Sequence, residues 1–305
     1  EVVLRWMLYG ANSALGRRLV RQALKRGHAP ILGGRRISTM LELSREFGLD
    51  SRVFTPSDQA RACECLEGVQ AVVNCSGQVD LAASCIASGV HYLDPDLLGS
   101  SFPGVYQFEE LARKAQVALF PGINALSVSG DYLAVFLKQR MPDVSRLSVV
   151  AVGLPRVRTM GTMDSLLRLL SKGSLRRFRG QLKRDDWGSR ISLTDLDGVK
   201  HLTVGMSLGN LESIWRQTKI PNIEAGLGVS SKEIRYLKSF GRVYWLARLR
   251  FLRRCFVWWW LGGSCQSVRQ KDDFLAYAQA WNADKSTLLA KVKVGSLQGL
   301  TVELI

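Results

Sequence analysis

The sequence predicts an α/β protein built on a doubly wound parallel sheet. Two observations carry this. Short apolar segments alternate with helical ones over the first 120 residues, and a glycine-containing turn joins the first strand segment to the first helical one. Arg5 to Tyr9 is the first strand and Gly10-Ala11-Asn12-Ser13-Ala14-Leu15-Gly16 the turn. Arg17 to Arg26 reads as a helix, because Leu19, Val20, Ala23 and Leu24 fall at helical spacing and Gly27 can end it. Ala29 to Leu32 is the second strand and closes on Gly33-Gly34-Arg35-Arg36. The alternation continues with a helix at Ser38–Phe47, a strand at Ser51–Thr55, a helix at Ala60–Leu66 and a strand at Ala71–Cys75. A helix at Val79–Ser88, a strand at His91–Leu93, a helix at Phe108–Ala115 and a strand at Val117–Phe120 complete it.

The first turn carries the chemistry. Gly10 and Gly16 allow a tight turn and a close helix–strand contact. The helix N-terminus then offers free N–H groups and a positive dipole end to a pyrophosphate, so the pattern is that of a Rossmann-type nucleotide domain. Asn12, Ser13, Ala14 and Leu15 line the same turn, and Ser13 stands where the common fingerprint has its middle glycine. The plainer alternative is an ordinary strand–helix turn. At the end of the second strand an NAD binder places an Asp or Glu for the ribose 2′-hydroxyl. This chain has no acid there. Arg35, 19 residues after Gly16, could clamp a 2′-phosphate, and Arg36 could help or stack on adenine, which favours NADP(H). A solvated basic pair at a helix start is the alternative. Asp58 follows the third strand, where adenine is flanked, and Asn74-Cys75-Ser76-Gly77 ends the fourth, where the ribose and pyrophosphate pass.

Composition excludes much else. Hydrophobic residues are 47% and charged residues 22%, which is neither a disordered chain, a collagen nor a coiled coil. Lys plus Arg is 42 and Asp plus Glu 26, a net +16 that attracts phosphates on a cofactor, a nucleic acid or an anionic membrane. The six cysteines contain no Cys-x-x-Cys and only three histidines accompany them, so no metal site is expected. Reduced thiols in a cytoplasm are the expectation. No apolar run reaches the length of a membrane span. None of the seven tyrosines has Lys four residues on, which excludes short-chain dehydrogenase chemistry. A P-loop is absent.

Four segments in order, Tyr9 to Gly16, Gly34-Arg35, Val72-Val73-Asn74-Cys75-Ser76-Gly77 and His91-Tyr92-Leu93-Asp94, resemble the NADP-binding domain of the saccharopine dehydrogenase-like oxidoreductases. Gly161-Thr162-Met163-Asp164-Ser165 is similar to a segment of their trans-acting enoyl reductase-like branch. That branch has Gly-Phe-Asp soon after Pro121, where this chain has Ile123-Asn124-Ala125. The resemblance implies an NADP-binding domain over 1–125 and a second α/β substrate domain with a mixed sheet over 126–305. It also implies NADPH-dependent reduction of a C=C or C=N bond. Candidate proton donors or polarisers are Tyr92, His91, Asp94, Asn124 and Asp131.

The second half predicts a helix at Asp131–Arg140, a strand at Leu147–Val152 and a helix at Thr162–Ser171. Arg176, Arg177, Arg179, Lys183 and Arg184 read as a solvated loop or edge. Strand segments follow at Ile191–Leu193, Val199–Val204 and Lys291–Val294. Residues 232–261 hold eight Lys or Arg against Glu233 alone, interleaved with aromatics. On a helix, Trp245, Leu249, Leu252, Phe256 and Trp259 form one apolar stripe beside Trp258 and Trp260. Basic residues with tryptophan on an amphipathic helix describe a membrane-surface or lipid-substrate dock. An interface with a partner or a second copy, and plain core packing, are the alternatives. A nucleic-acid surface is set aside because no RNA- or DNA-binding motif accompanies the stretch. The expected substrate is hydrophobic and delivered at a membrane or by a carrier. The other functions open at this point are a non-catalytic NADP-binding scaffold and an imine reductase for amino acids, with Arg156 and Arg158 to take their carboxylates.

Overall fold

A computed structural model describes residues 4–96, 102–153, 174–185, 189–196, 199–206, 209–231, 234 and 273–305. The chain divides into two compact units, Glu1–Asn124 with Gln298–Ile305, and Ala125–Leu297.

The first unit runs β1 (Trp6–Tyr9), α1 (Ala14–Lys25), β2 (Ile31–Gly34), α2 (Ile37–Phe47), β3 (Ser51–Val53), α3 (Gln59–Leu66), β4 (Ala71–Asn74), α4 (Asp80–Ala87), β5 (His91–Leu93), α5 (Phe102–Tyr106), α6 (Glu109–Lys114) and β6 (Leu119–Phe120). Its sheet is parallel, in the order β3-β2-β1-β4-β5-β6. The chain reverses direction across the sheet between β3 and β4, so β1 and β4 lie side by side at the switch point, where such sheets open a crevice. Tyr9 aligns with Gly33 on one side and with Asn74 on the other. The turn after β1, the arginines after β2 and the loop after β4 therefore leave the same edge.

Both sheet faces are buried, as a parallel sheet requires. Met7, Tyr9, Val72 and Tyr92 face α3 and α4 through Ala62, Leu66, Leu81 and Cys85. Leu8, Leu32 and Val73 face α1 and α2 through Leu19, Val20, Met40 and Leu43. Local signals set the helix ends. Ser13 caps α1, the Asp58 carboxylate accepts the Arg61 N–H at the start of α3, and Gly48 ends α2 in the left-handed region.

The second unit contains α7 (Ala125–Arg140), β7 (Arg146–Val152), β8 (Ser174–Phe178), β9 (Gln181–Asp185), β10 (Ile191–Leu196), β11 (Val199–Gly205), α8 (Asn210–Thr218), β12 (Asn222–Gly228), β13 (Phe274–Trp281) and β14 (Thr287–Val294). The sheet is mixed, in the order β10-β11-β12-β7-β13-β14, with β8 joining β12 to β9. Only β12 and β7 pair in parallel; the other pairs are antiparallel.

Two expectations are corrected here. Residues 176–184, expected as a solvated loop or edge, form the hairpin β8–β9; the loop alternative falls, while β9 with Lys183 and Arg184 is an exposed edge. The reason is Arg177, whose side chain is only 7% exposed. It donates to Gly180 O, pairs with Glu212 of α8 and lies 4.6 Å over the Trp215 ring. A cation with a carboxylate, a carbonyl and a ring face can be buried. The last eight residues, expected in the second domain, return to the first unit as part of α9 (Leu297–Leu304). Val302 and Ile305 pack with Leu8, Leu19 and Val20, and Glu303 pairs with Arg26 and accepts Gln22 Nε2. Other bounds differ: α7 begins at Ala125, six residues before the expected start, β14 begins at Thr287 rather than Lys291, and α5, α8, β12 and β13 are not among the expected elements. The helices expected at 162–171 and 232–261 lie outside the described residues.

The anchoring of α9 is apolar rather than electrostatic. Val302→Ala, losing two buried methyls, is expected to cost about 1–2 kcal/mol in urea unfolding. Glu303→Ala, at a half-exposed pair, is expected to cost below about 1 kcal/mol. The reverse ranking would contradict this assignment.

Candidate functional site

The turn between β1 and α1 is held backbone against backbone. Gly10 has φ +82°, a region that L residues enter only at a cost of about 1–2 kcal/mol. Its N–H donates to Gly33 O at 2.9 Å and its carbonyl accepts from Ser13 N at 3.1 Å. A Cβ placed on Gly10 would lie 2.8 Å from Ser76 N, and one on Gly16 would lie 2.7 Å from Gly10 O. Neither position tolerates a side chain. Ser13, in contrast, has φ −70° and needs no glycine; its Oγ accepts Gly16 N at 3.0 Å. Asn12 and Ala14 are exposed on the outer side of the turn, with Leu15 partly buried. The result is a concave backbone edge at a helix N-terminus, the donor set that suits a pyrophosphate.

At the end of β2 the glycine pair serves packing. A Cβ on Gly33 would meet the Tyr9 ring at 2.7 Å, and one on Gly34 the Met40 sulfur at 2.6 Å. Arg35 and Arg36 follow, both exposed. Tyr9 donates its hydroxyl to Phe54 O at 2.8 Å. Burial pushes the Tyr9 phenol up to about 12, against the opposing charge of Arg35. Arg35 therefore acts on the space at the tip of β2. Arg36 occupies the N-cap position of α2 without a side-chain cap bond. Asp58 turns to its own helix as a cap, accepting Arg61 N at 3.2 Å, so the structure gives it a local task beside the expected one.

The ends of β4, β5 and β6 carry a connected polar network. Asn74 is 1% exposed; its Nδ2 donates to Gln78 O and to the Tyr92 hydroxyl, each at 2.9 Å. Its Oδ1 accepts Ser76 N at 3.0 Å and Ser76 Oγ at 2.7 Å. Tyr92 in turn donates to Asp94 Oδ2 at 3.1 Å. Asp94 Oδ1 accepts Asp96 N and Gly122 N, both at 3.0 Å. Asn124 Nδ2 donates to Asp96 O at 2.9 Å and Gly122 O at 3.1 Å. Burial raises the Asp94 carboxyl to about 6, opposed by the two backbone N–H bonds. The same burial holds the Tyr92 phenol well above its ordinary range. Cys75 is pushed up to about 12 by burial and by Asp94 and remains a thiol. Gly77 has φ +71° and lets the loop after β4 turn.

The structure thus brings Asn74, Ser76, Tyr92, Asp94 and Asn124 into one network and sets Gly10 against it. It does not bring His91 there. His91 opens β5 at the opposite end of the strand, is exposed, and its Nδ1 accepts Ala118 N at 3.1 Å. That bond braces β5 against the start of β6. Asp131 belongs to α7 in the second unit, where its carboxylate accepts Ser213 Oγ at 2.9 Å and Gln217 Nε2 at 3.4 Å. Both donors are neutral, so burial prevails and raises its carboxyl to about 7. Ser213 and Gln217 lie 82 and 86 residues further on and no sequence signal marked them. Gly122 was also missed as a site residue. Its φ is +72° and a Cβ there would meet the Phe102 ring at 2.2 Å; the Pro121-Gly122 turn was the available signal.

No family model and no curated protein sequence matches the chain. Solved structures do. The apo saccharopine dehydrogenase (L-Glu forming) of Saccharomyces cerevisiae superposes with a TM-score of 0.61 at 10% identity, over 99% of this chain and 88% of that one. A probable dehydrogenase from Thermotoga maritima reaches a TM-score of 0.47 at 13% identity, over 98% of this chain and 86% of that one. The first likeness shows a shared fold, with a parallel nucleotide-type sheet followed by a mixed sheet.

The two raised carboxyls have a stability signature. An ordinary aspartate titrates near 3.9, so in both cases the folded chain binds the proton more tightly than the unfolded chain. Each site lowers stability as the pH rises from about 4 to its folded value, about 6 for Asp94 and about 7 for Asp131. Between those two values Asp131 contributes more of the decline than Asp94. Asp131→Asn is expected to flatten the decline of the urea midpoint there more than Asp94→Asn does. An unchanged decline in Asp131→Asn would contradict the assignment.

Proposed function

We propose that the chain is a pyridine-nucleotide oxidoreductase that uses NADP(H) to reduce a C=C or C=N bond of a hydrophobic substrate. One observation carries the cofactor half of this reading. A backbone cradle closes where Gly10 meets Ser76, and exposed Arg35 and Arg36 follow β2 where a carboxylate would select NAD. The residues fit the nucleotide: a Cβ at Gly10 or Gly16 would collide with backbone of the turn, and a helix N-terminus follows it. A bound nicotinamide supplies the hydride. The chain's own part is to bind and orient. The Gly10–Gly16 turn and the helix N-terminus it opens would hold the pyrophosphate, Arg35 would pair with the 2′-phosphate, and the Asn74–Gly77 loop would border the ribose. Tyr92 donates within the network and both Asp94 oxygens accept there. The hydrophobic substrate and its delivery at a membrane or on a carrier rest on residues 232–261, which lie outside the described residues. So do Arg156 and Arg158 of the amino-acid imine reading.

A second reading is an NADP-binding scaffold without turnover. The observation that favours it is the engagement of Tyr92, Asp94 and Asn124 with one another and with backbone groups.

Titration with NADPH and NADH, followed by nicotinamide fluorescence, tests the cofactor. Arg35→Ala is expected to weaken NADPH by about 1–3 kcal/mol, the range for a lost charge-assisted contact, and NADH hardly at all. Equal effects on both nucleotides would remove Arg35 from the 2′-phosphate. Oxidation of NADPH by an enoyl or imine substrate would favour the reductase, and tight binding with no oxidation across both classes the scaffold.

A further inference from the structure

Asp94 makes bonds that a proton donor would not need. Its carboxylate accepts an N–H from the segment after β5 at Asp96 and an N–H from the segment after β6 at Gly122. Through Tyr92 it also reaches Asn74 at the end of β4. Asn74 fixes both the amide and the hydroxyl of Ser76. Ser76 N is the atom that leaves no room for a side chain on Gly10. One carboxylate, 2% exposed, therefore ties three neighbouring strand ends together, and the chain of bonds stops at the phosphate turn.

The two halves of such a sheet serve the two halves of a dinucleotide. β1 to β3, with α1 and Arg35, form one half; β4 to β6 form the other, and the Asp94 network lies wholly in the second. We propose that Asp94, acting through Tyr92 and Asn74, is the positioning residue for the nicotinamide half of the bound nucleotide, and that none of the three exchanges a proton with substrate. This deepens the NADP(H) reading given above and rests on it. Tyr92 is suited to the task because its ring is fully buried in the sheet core, so its hydroxyl has one place to be. A hydroxyl that accepts from Asn74 and donates to Asp94 transmits position in both directions. Asn124, donating to Asp96 O and Gly122 O, closes the two segments that Asp94 joins.

The test compares NADPH with adenosine 2′,5′-bisphosphate, which carries only the adenosine half. Binding of each is measured by calorimetry for the wild type, Tyr92→Phe and Asp94→Asn, at a temperature where circular dichroism shows each variant folded. Tyr92→Phe keeps the ring and removes one oxygen, so it remains informative where Asp94→Asn does not fold. The expected result is an NADPH Kd raised about tenfold or more in the variants, in the range for lost hydrogen bonds to a charged group. The bisphosphate Kd is expected to stay within about twofold, because its contacts lie in the other half. Equal weakening of both ligands would mean a general loss of structure and would overturn the assignment. So would unchanged NADPH binding in Tyr92→Phe. Failure of the wild type to bind either ligand would overturn the nucleotide reading itself, and the positioning role with it.

Discussion

The first unit depends on a contact that has no side chain in it. Where Gly10 passes Ser76 the two backbones are too close for a single methyl group. That closeness requires β4 to lie directly beside β1, with Tyr9 in register with Asn74. It also requires a positive φ at residue 10. Gly16 repeats the constraint one helical turn later and lets α1 begin hard against the turn. Two positions without side chains thus place a helix N-terminus at the switch point of the sheet, and an anion placed there would meet N–H groups and a positive dipole end. The fold as a whole is shared with a saccharopine dehydrogenase.

Around that contact the polar groups are organised by burial. The sequence carries a net +16, yet the strand ends behind the turn are built from amides, a phenol and one carboxylate rather than from cations. A carboxylate in such a place keeps its charge only with several donors, and Asp94 has two backbone N–H groups and a hydroxyl. Basic residues sit instead at the exposed tip of β2, at Arg35 and Arg36, or where a carboxylate can meet them. Arg177 is an instance of the second kind. It is buried against Glu212 and Trp215 and joins the β8–β9 hairpin to α8. Asp131 shows the opposite balance, since Ser213 and Gln217 offer it hydrogen bonds without charge.

The first sheet was legible because its signals are local. Apolar tetrapeptides at Trp6–Tyr9 and Ala71–Asn74, a turn with glycines six apart and stop signals at Gly27 and Gly48 all act within a few residues. The second sheet was only partly legible. β12 carries Gly226 and Gly228 and β13 three alanines and Gln279, so neither shows an unbroken bulky alternation; pairing with β7 makes them strands. The arginines of β8 hide a strand because the partner that buries Arg177 is 35 residues away. The return of α9 to the first unit is a tertiary event with no local mark. In the site, the glycines, Arg35 and the Asn74 loop could be named from the sequence. The roles of His91, Tyr92 and Asp94 could not, because a hydrogen-bond partner decides each of them.

The claim that Gly10 and Ser76 form a dinucleotide cradle is tested most directly by amide hydrogen exchange with and without NADPH. Protection is expected in the peptides spanning residues 10–16 and 74–78, with a smaller effect around 35–36, because a bound nucleotide would cover and steady those segments. Binding accompanied by protection elsewhere, with residues 10–16 and 74–78 unchanged, would contradict the account.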